Sequence, residues 1–206
     1  SDVNAILFDE PLTVIDPQMK WVLRSQLKQL HRRYGFTMVY VTHDQTEALT
    51  FAEKVVVMYD GQIVQIGTPD ELFERPSHTF VGYFIGSPGM NVLPVGVEGR
   101  SARLGSHVIS LPGAPADGQK QYELGIRPEF VQLGREGIPV RIAKIEDTGR
   151  RKIVRAELEG REIAVIVGEE EEIPADPHVT FVPERINLYA NSWRVDLSGA
   201  AGGSAR

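Results

Sequence analysis

Cysteine is absent from all 206 residues. That excludes disulfides and thiolate metal sites, and it is compatible with a reducing compartment. Long apolar runs are missing too: nothing approaches the roughly 20 residues of a membrane-spanning helix, and no signal-peptide pattern opens the sequence. Work at a membrane would therefore run through partners, from outside the bilayer. An excess of positive charge is also lacking. The formal net charge of −6 argues against nucleic acid or an anionic membrane surface as partner. The one basic cluster, Arg150-Arg151-Lys152, reads as an exposed hairpin turn. No internal repeat is long enough for a solenoid. What is present, 42% apolar and 24% charged residues, describes an ordinary globular chain with the length of one large domain or two small ones.

The stretch around which the rest is organised is Ala5-Ile6-Leu7-Phe8-Asp9-Glu10-Pro11-Leu12-Thr13-Val14-Ile15-Asp16. Ala5 to Phe8 reads as a buried strand, too short for a buried helix and apolar on both faces. Asp9 and Glu10 end it, and open α/β sheets place their ligand sites at the carboxyl ends of strands. Two carboxylates there can divide labour: one holds Mg²⁺ through water, the other orients or deprotonates a water aimed at a phosphate. The plain structural alternative is a solvated acidic turn. Asp16 and Pro17 start a helix as N-cap and first helical residue. The helix is predicted to run to Tyr34, with Trp21, Leu23, Leu27 and Leu30 as its apolar stripe and Gly35 as its stop. Phe36 to Thr42 is a second buried strand that completes a right-handed βαβ crossover. It delivers His43-Asp44-Gln45 at its end, with a helix from Asp44 to about Ala52. A lone histidine is more often packed or superficial than catalytic, but parallel pairing puts His43 on the same sheet edge as Asp9 and Glu10.

In this order and spacing the residues resemble the second half of an ABC-transporter ATPase subunit. Ile6 to Glu10 is similar to the family's Walker B strand. The resemblance gives Asp9 the magnesium position, through water, and makes Glu10 the catalytic carboxylate. Leu12 to Asp16 is similar to the D-loop, in which Asp16 would act across a dimer, and Val41 to Asp44 to the histidine switch, with His43 facing the γ-phosphate. Val14 departs from the family, which commonly has a polar residue there. ATP and Mg²⁺ are the implied cofactors. The implied partners are a second ATPase subunit in a homo- or heterodimer, membrane-spanning permease subunits and, indirectly, a solute-binding protein, with no nucleic acid. The implied location is peripheral, on the cytoplasmic face of the inner membrane. No GxxxxGK[ST] loop, Q-loop or LSGGQ-type signature occurs in the sequence. The chain is therefore expected to be an excised or truncated part of a longer subunit, inactive by itself. The rival reading is a free-standing, non-catalytic module that binds a regulatory ligand or a protein.

Further along, Asp60-Gly61 between two apolar stretches is a strong hairpin signal. A helix capped by Thr68 follows, and another from Ser77 to Ile85 is predicted to turn Phe80, Val81 and Phe84 inward. Gly86-Ser87-Pro88-Gly89 is a cluster of helix breakers and marks the expected boundary of the first domain, residues 1–86. Residues 87–198 hold many short, partly alternating stretches, which predict an all-β barrel or sandwich. Phe84 to Asn91, Gly125-Ile126-Arg127-Pro128-Glu129 and Val182 to Leu188 resemble the regulatory domain of maltose and glycerol-phosphate importers, an OB-like (TOBE) barrel. Leu12 to Asp16 and Phe84 to Val95 resemble the glycerol or glycerol-3-phosphate branch, with sugar import the close rival. Taken without the resemblance, Pro128 ends a strand while Arg127 and Glu129 make surface or interdomain pairs. Glu169 to Glu172 is a solvated loop, and residues 199–206 form a disordered tail. The fold class is thus the C-terminal half of an α/β P-loop domain followed by an all-β OB-like domain.

Overall fold

A computed structural model describes residues 5–116, 118–119 and 121–199. The expected disordered tail lies outside them, apart from Gly199. Two compact units are seen. One runs to Val56 and includes Ile66–Pro69; the other comprises Val57–Gln65 and the chain from Asp70 onward.

In the first unit β1 (Ala5–Asp9) leads through α1 (Pro17–Tyr34) to β2 (Thr37–Val41) and then α2 (Gln45–Phe51). Strands β1 and β2 pair in parallel, with Ala5 opposite Thr37 and Asp9 opposite Val41. The ends of α1 follow from its sequence. Asp16 Oδ1 accepts from Gln18 N and Met19 N, Pro17 opens the first turn, and Gly35 closes the helix at φ 66. Glycine takes that left-handed conformation without a Cβ clash.

The strands differ from the doubly buried ones expected. Leu7 is 67% exposed, and Val39 and Val41 are exposed as well, while Phe8 and Tyr40 share the half-buried face on which Phe51 of α2 rests. Two paired strands, about 5 Å apart, support helices on one face and leave the other to water. A platform so narrow cannot cover the whole apolar stripe of an 18-residue helix either. Leu23 and Leu27 are half-buried, but Trp21 and Leu30 are exposed.

Strands β3 (Val55–Tyr59) and β4 (Gln62–Gly67) form a hairpin. Its Asp60-Gly61 turn has both residues at positive φ, 49 and 72, as a type I′ turn requires. Helices α3 (Pro69–Glu74) and α4 (Thr79–Phe84) follow. The second of these starts two residues later than the sequence suggests, because the His78 side chain caps it by accepting from Phe80 N. Val81 is fully buried, whereas Phe80 and Phe84 are half-buried and stack on each other.

The chain then becomes all strand and short 3-10 turns. First come β5 (Asn91–Glu98), β6 (Ser101–Leu104), β7 (His107–Ser110), β8 (Ala114–Pro115) and β9 (Gln121–Ile126). Next are β10 (Val131–Gly134), β11 (Ile138–Pro139), β12 (Arg141–Asp147), β13 (Arg151–Leu158) and β14 (Arg161–Gly168). The last are β15 (His178–Phe181), β16 (Asn187–Ala190), β17 (Trp193–Arg194) and β18 (Leu197–Ser198). A six-stranded sheet has the order β17-β16-β9-β5-β6-β7, and two three-stranded sheets have the orders β10-β15-β11 and β12-β13-β14. One apolar core joins them, with Leu93, Leu124, Val154, Val165, Val179 and Leu188 wholly or almost wholly buried. The alternation seen in Val154 to Leu158 is realised, since Val154, Ala156 and Leu158 point into this core.

Arg127 overturns the surface alternative of the expected surface or interdomain pairing; its partners lie before residue 86, in the expected first domain. It is only 3% exposed and its guanidinium is spent on backbone carbonyls. Nε donates to Phe73 O at 3.0 Å, Nη1 to Gly82 O at 2.9 Å and to Ile85 O, and Nη2 to Leu72 O at 3.4 Å. The guanidinium also lies 4.2 Å from the centre of the Phe73 ring. Burial lowers its pKa to about 10, which leaves it charged at neutral pH. These bonds explain why α3 and α4 group with the β-rich unit.

Candidate functional site

The site forms where β1 and β2 end side by side. Beyond Asp9 the chain turns sharply. Glu10 takes φ 44, an uncommon conformation for a residue with a side chain, and its N–H still donates to Val41 O at 2.9 Å. Thr13 closes the turn, its N donating to Glu10 O at 3.3 Å and its hydroxyl approaching both Glu10 O at 3.1 Å and Glu10 Oε2 at 3.2 Å. From the second strand, His43 brings Nδ1 to 3.1 Å from Glu10 Oε1. An ionised carboxylate only accepts, so Nδ1 carries the proton in this contact. The hydrogen bond from His43 holds the Glu10 carboxyl below the usual carboxylate range against the opposing effect of desolvation, and the histidine's charge and the Thr13 hydroxyl add smaller contributions. Both side chains remain substantially open to solvent.

Of the residues singled out in the sequence, the structure therefore brings Glu10 and His43 together. Asp9 is exposed on the last position of β1, next to Glu10 in sequence and opposite Val41. Asp16 is not part of this contact; its carboxylate caps α1. Among the described residues no group of three or more potential ligands could hold a metal ion by itself. The hard oxygen donors of Asp9 and Glu10 suit Mg²⁺ in kind, and such an ion usually keeps several waters and takes substrate phosphates as further ligands.

The sequence reading did not single out Thr13, nor the polar group behind His43. Glu47 of α2, 4% exposed, accepts from Tyr40 Oη at 3.0 Å, Thr42 Oγ1 at 3.1 Å and Lys20 Nζ at 3.2 Å. Burial first, and then the bond to this carboxylate, pushes the Tyr40 phenol well above its ordinary pKa. The available signal was modest: a glutamate four residues beyond His43, on a helix whose apolar positions face the same way.

Among the described residues no helix is long and apolar enough to cross a membrane. No protein-family model matches the chain. Curated proteins do. The chain is 39% identical over 189 residues to an uncharacterized ABC transporter ATP-binding protein, y4oS, of Sinorhizobium fredii, a match covering 89% of the chain and 51% of that protein. It is 38% identical over 188 residues to the sn-glycerol-3-phosphate import ATP-binding protein UgpC of Vibrio cholerae, covering 87% of the chain and 50% of that protein. With UgpC of Bordetella avium the figures are 43% over 157 residues, covering 73% and 43%. The chain spans about half the length of these relatives, and it belongs with them to the family of ABC transporter ATP-binding proteins.

Proposed function

We propose that the chain is part of the ATP-hydrolysing subunit of an importer for glycerol-3-phosphate, glycerol or a sugar. The observation that carries this reading is the Glu10–His43 contact at 3.1 Å on the shared end of two parallel strands, in a chain whose relatives include importer ATP-binding proteins. In the complete subunit, Mg²⁺-bound ATP would supply the phosphoryl group and the cation that neutralises its charge.

The residues on the page fit specific tasks. Glu10, exposed and held in its ionised form, can orient a water by accepting its proton in a hydrogen bond. In its protonated form His43 donates Nδ1–H to Glu10 and keeps Nε2–H for a second acceptor such as a phosphate oxygen. Asp9 offers a carboxylate for a cation's water shell. Asp16, in this reading, contributes from the D-loop toward a second ATPase subunit. The helices and strands up to about residue 86 represent the end of the nucleotide-binding domain, and residues 87–198 an OB-like regulatory domain. The subunit works peripherally, on the cytoplasmic side, with permease subunits and a solute-binding protein as partners.

Glu10→Gln in the complete subunit is the test. An amide keeps the shape but is a far poorer proton acceptor, so hydrolysis falls by about 10²–10⁴-fold while nucleotide stays bound. Hydrolysis at the parental rate would reduce Glu10 to a turn residue and remove the proposal.

A further inference from the structure

The described residues bury three polar or charged side chains: Arg127 and Asn91 in the β-rich region, and Glu47 in the first unit. Glu47 stands directly behind the candidate site. Its Oε2 accepts the hydroxyl protons of Tyr40 and Thr42, and its Oε1 accepts from Lys20. Thr42 has a single hydroxyl proton. With that proton committed to Glu47, its oxygen lone pairs are left for Asp44 N–H, which donates to Oγ1 at 3.0 Å. Asp44 Oδ1 in turn accepts the backbone N–H of Thr46 at 2.9 Å and of Glu47 itself at 3.2 Å. Both neighbours of His43 are thereby tied to one carboxylate and one helix start. His43 itself is largely exposed, so packing does not fix it, while the backbone on either side of it is held by these bonds.

We infer that Glu47 is a positioning residue for His43: its carboxylate, acting through Thr42 and Asp44, holds the imidazole with Nδ1 toward Glu10. This rests on the reading of His43 as a working residue of the ATPase site, which it deepens, but its geometry is testable without hydrolysis. Leucine at position 47 keeps a similar stem but removes the acceptor on which three donors converge; glutamine would not serve, since its one oxygen could stay on Tyr40 and Thr42 while its NH₂ faced the partly exposed Lys20,. With no carboxylate to donate to, the Thr42 hydroxyl turns away and the link to Asp44 weakens.

The readout is the tautomer of the neutral His43 ring in the 206-residue chain. Long-range ¹H–¹⁵N correlation spectra are taken at the alkaline end of the histidine titration, with His43→Asn identifying the signal. The parent protein shows the Nδ1–H form. Glu47→Leu shifts the ring toward the Nε2–H form that unrestrained histidine favours, as does Glu10→Ala, which removes the acceptor itself. Thr42→Val reproduces the shift, and Thr42→Ser, which restores the hydroxyl, reverts it; this pair decides the matter if Glu47→Leu fails to fold. A folded Glu47→Leu or Thr42→Val protein that keeps the parental Nδ1–H signal overturns the inference, as does a parent protein without that signal. Loss of the signal in these variants, combined with parental hydrolysis by Glu10→Gln in the complete subunit, would uphold the positioning and remove the functional reading alone.

Discussion

Arg127→Met isolates what a buried guanidinium does for the β-rich unit. The carbonyls it serves, Leu72 and Phe73 in the last turn of α3 and Gly82 and Ile85 at the end of α4, belong to helix ends that have no following turn to satisfy them. Methionine fills similar space and donates nothing. Gly82 O keeps a second bond, from Met90 N at 3.0 Å, and the Leu72 bond is long, so the full loss falls on Phe73 and Ile85. A buried acceptor stripped of its donor costs about 1–3 kcal/mol, and the stacking on Phe73 adds about 0.5–2 kcal/mol. Against this, methionine avoids burying a cation, whose lowered pKa registers an unfavourable environment; removing such a charge with an apolar residue recovers part of the loss. The net expectation is about 3 kcal/mol of destabilisation, or roughly 6–12 °C in Tm for a unit of this size. Lysine, with one point charge in place of the fork and no planar face for stacking, falls between the two. The chain has two tryptophans, Trp21 in the first unit and Trp193 in the second. In a Trp21→Phe background, urea unfolding followed by fluorescence therefore reports the second unit alone. An Arg127→Met midpoint within about 0.5 kcal/mol of the parent would refute the reasoning, because changes that small are typical of surface sites.

The Glu10 carboxyl is held below its usual value of 4.5. The contribution of its contact with His43 is therefore fully present above about that pH and is lost as pH falls through the lower, folded value; in His43→Ala, the Glu10 side-chain carboxyl carbon titrates closer to 4.5 by NMR. Calorimetric titration of the 206-residue chain with Mg²⁺-ATP should show no micromolar binding, since the sequence contains no GxxxxGK[ST] loop to cradle phosphates,; micromolar affinity would contradict this. A polypeptide starting at Asp70 should unfold at higher urea than one starting at Gly86, because only the longer one keeps the four carbonyls bound by Arg127; equal midpoints would contradict that account.

The features legible in the sequence are those set by a few adjacent residues. Asp16-Pro17 and Gly35 bound α1 through side-chain capping and a left-handed terminus. Asp60-Gly61 makes the hairpin through two positive φ angles. Glu10 and His43 meet because parallel pairing of β1 with β2 sets consecutive strand ends together. The short strand Ser101–Leu104 carried its own alternation, with Ala102 and Leu104 buried and Ser101 and Arg103 exposed, yet four residues between turns are too few for a period-2 signal to stand out.

Other features depend on what the sequence does not encode locally. Apolar residues in β1 and β2 state a preference for burial, not how many neighbours are there to supply it, so the exposure of Leu7, Val39 and Val41 could not be read from their chemistry. Arg127 is the sharper case. In Leu124-Gly125-Ile126-Arg127 an arginine after an apolar run looks like the point where a strand meets water, and a reader searches for a carboxylate to pair with it. Its partners are main-chain oxygens 42 to 55 residues earlier, and every residue type offers those equally. Glu47 lies between the two cases. Its link to Thr42 spans only five positions, but it becomes meaningful once β2 and α2 are known to turn back on each other. The strand–turn–helix geometry that makes His43 visible as a candidate is thus what makes its support visible in turn. A polar residue on the buried face of such a helix is best examined for what it holds in place at the strand end.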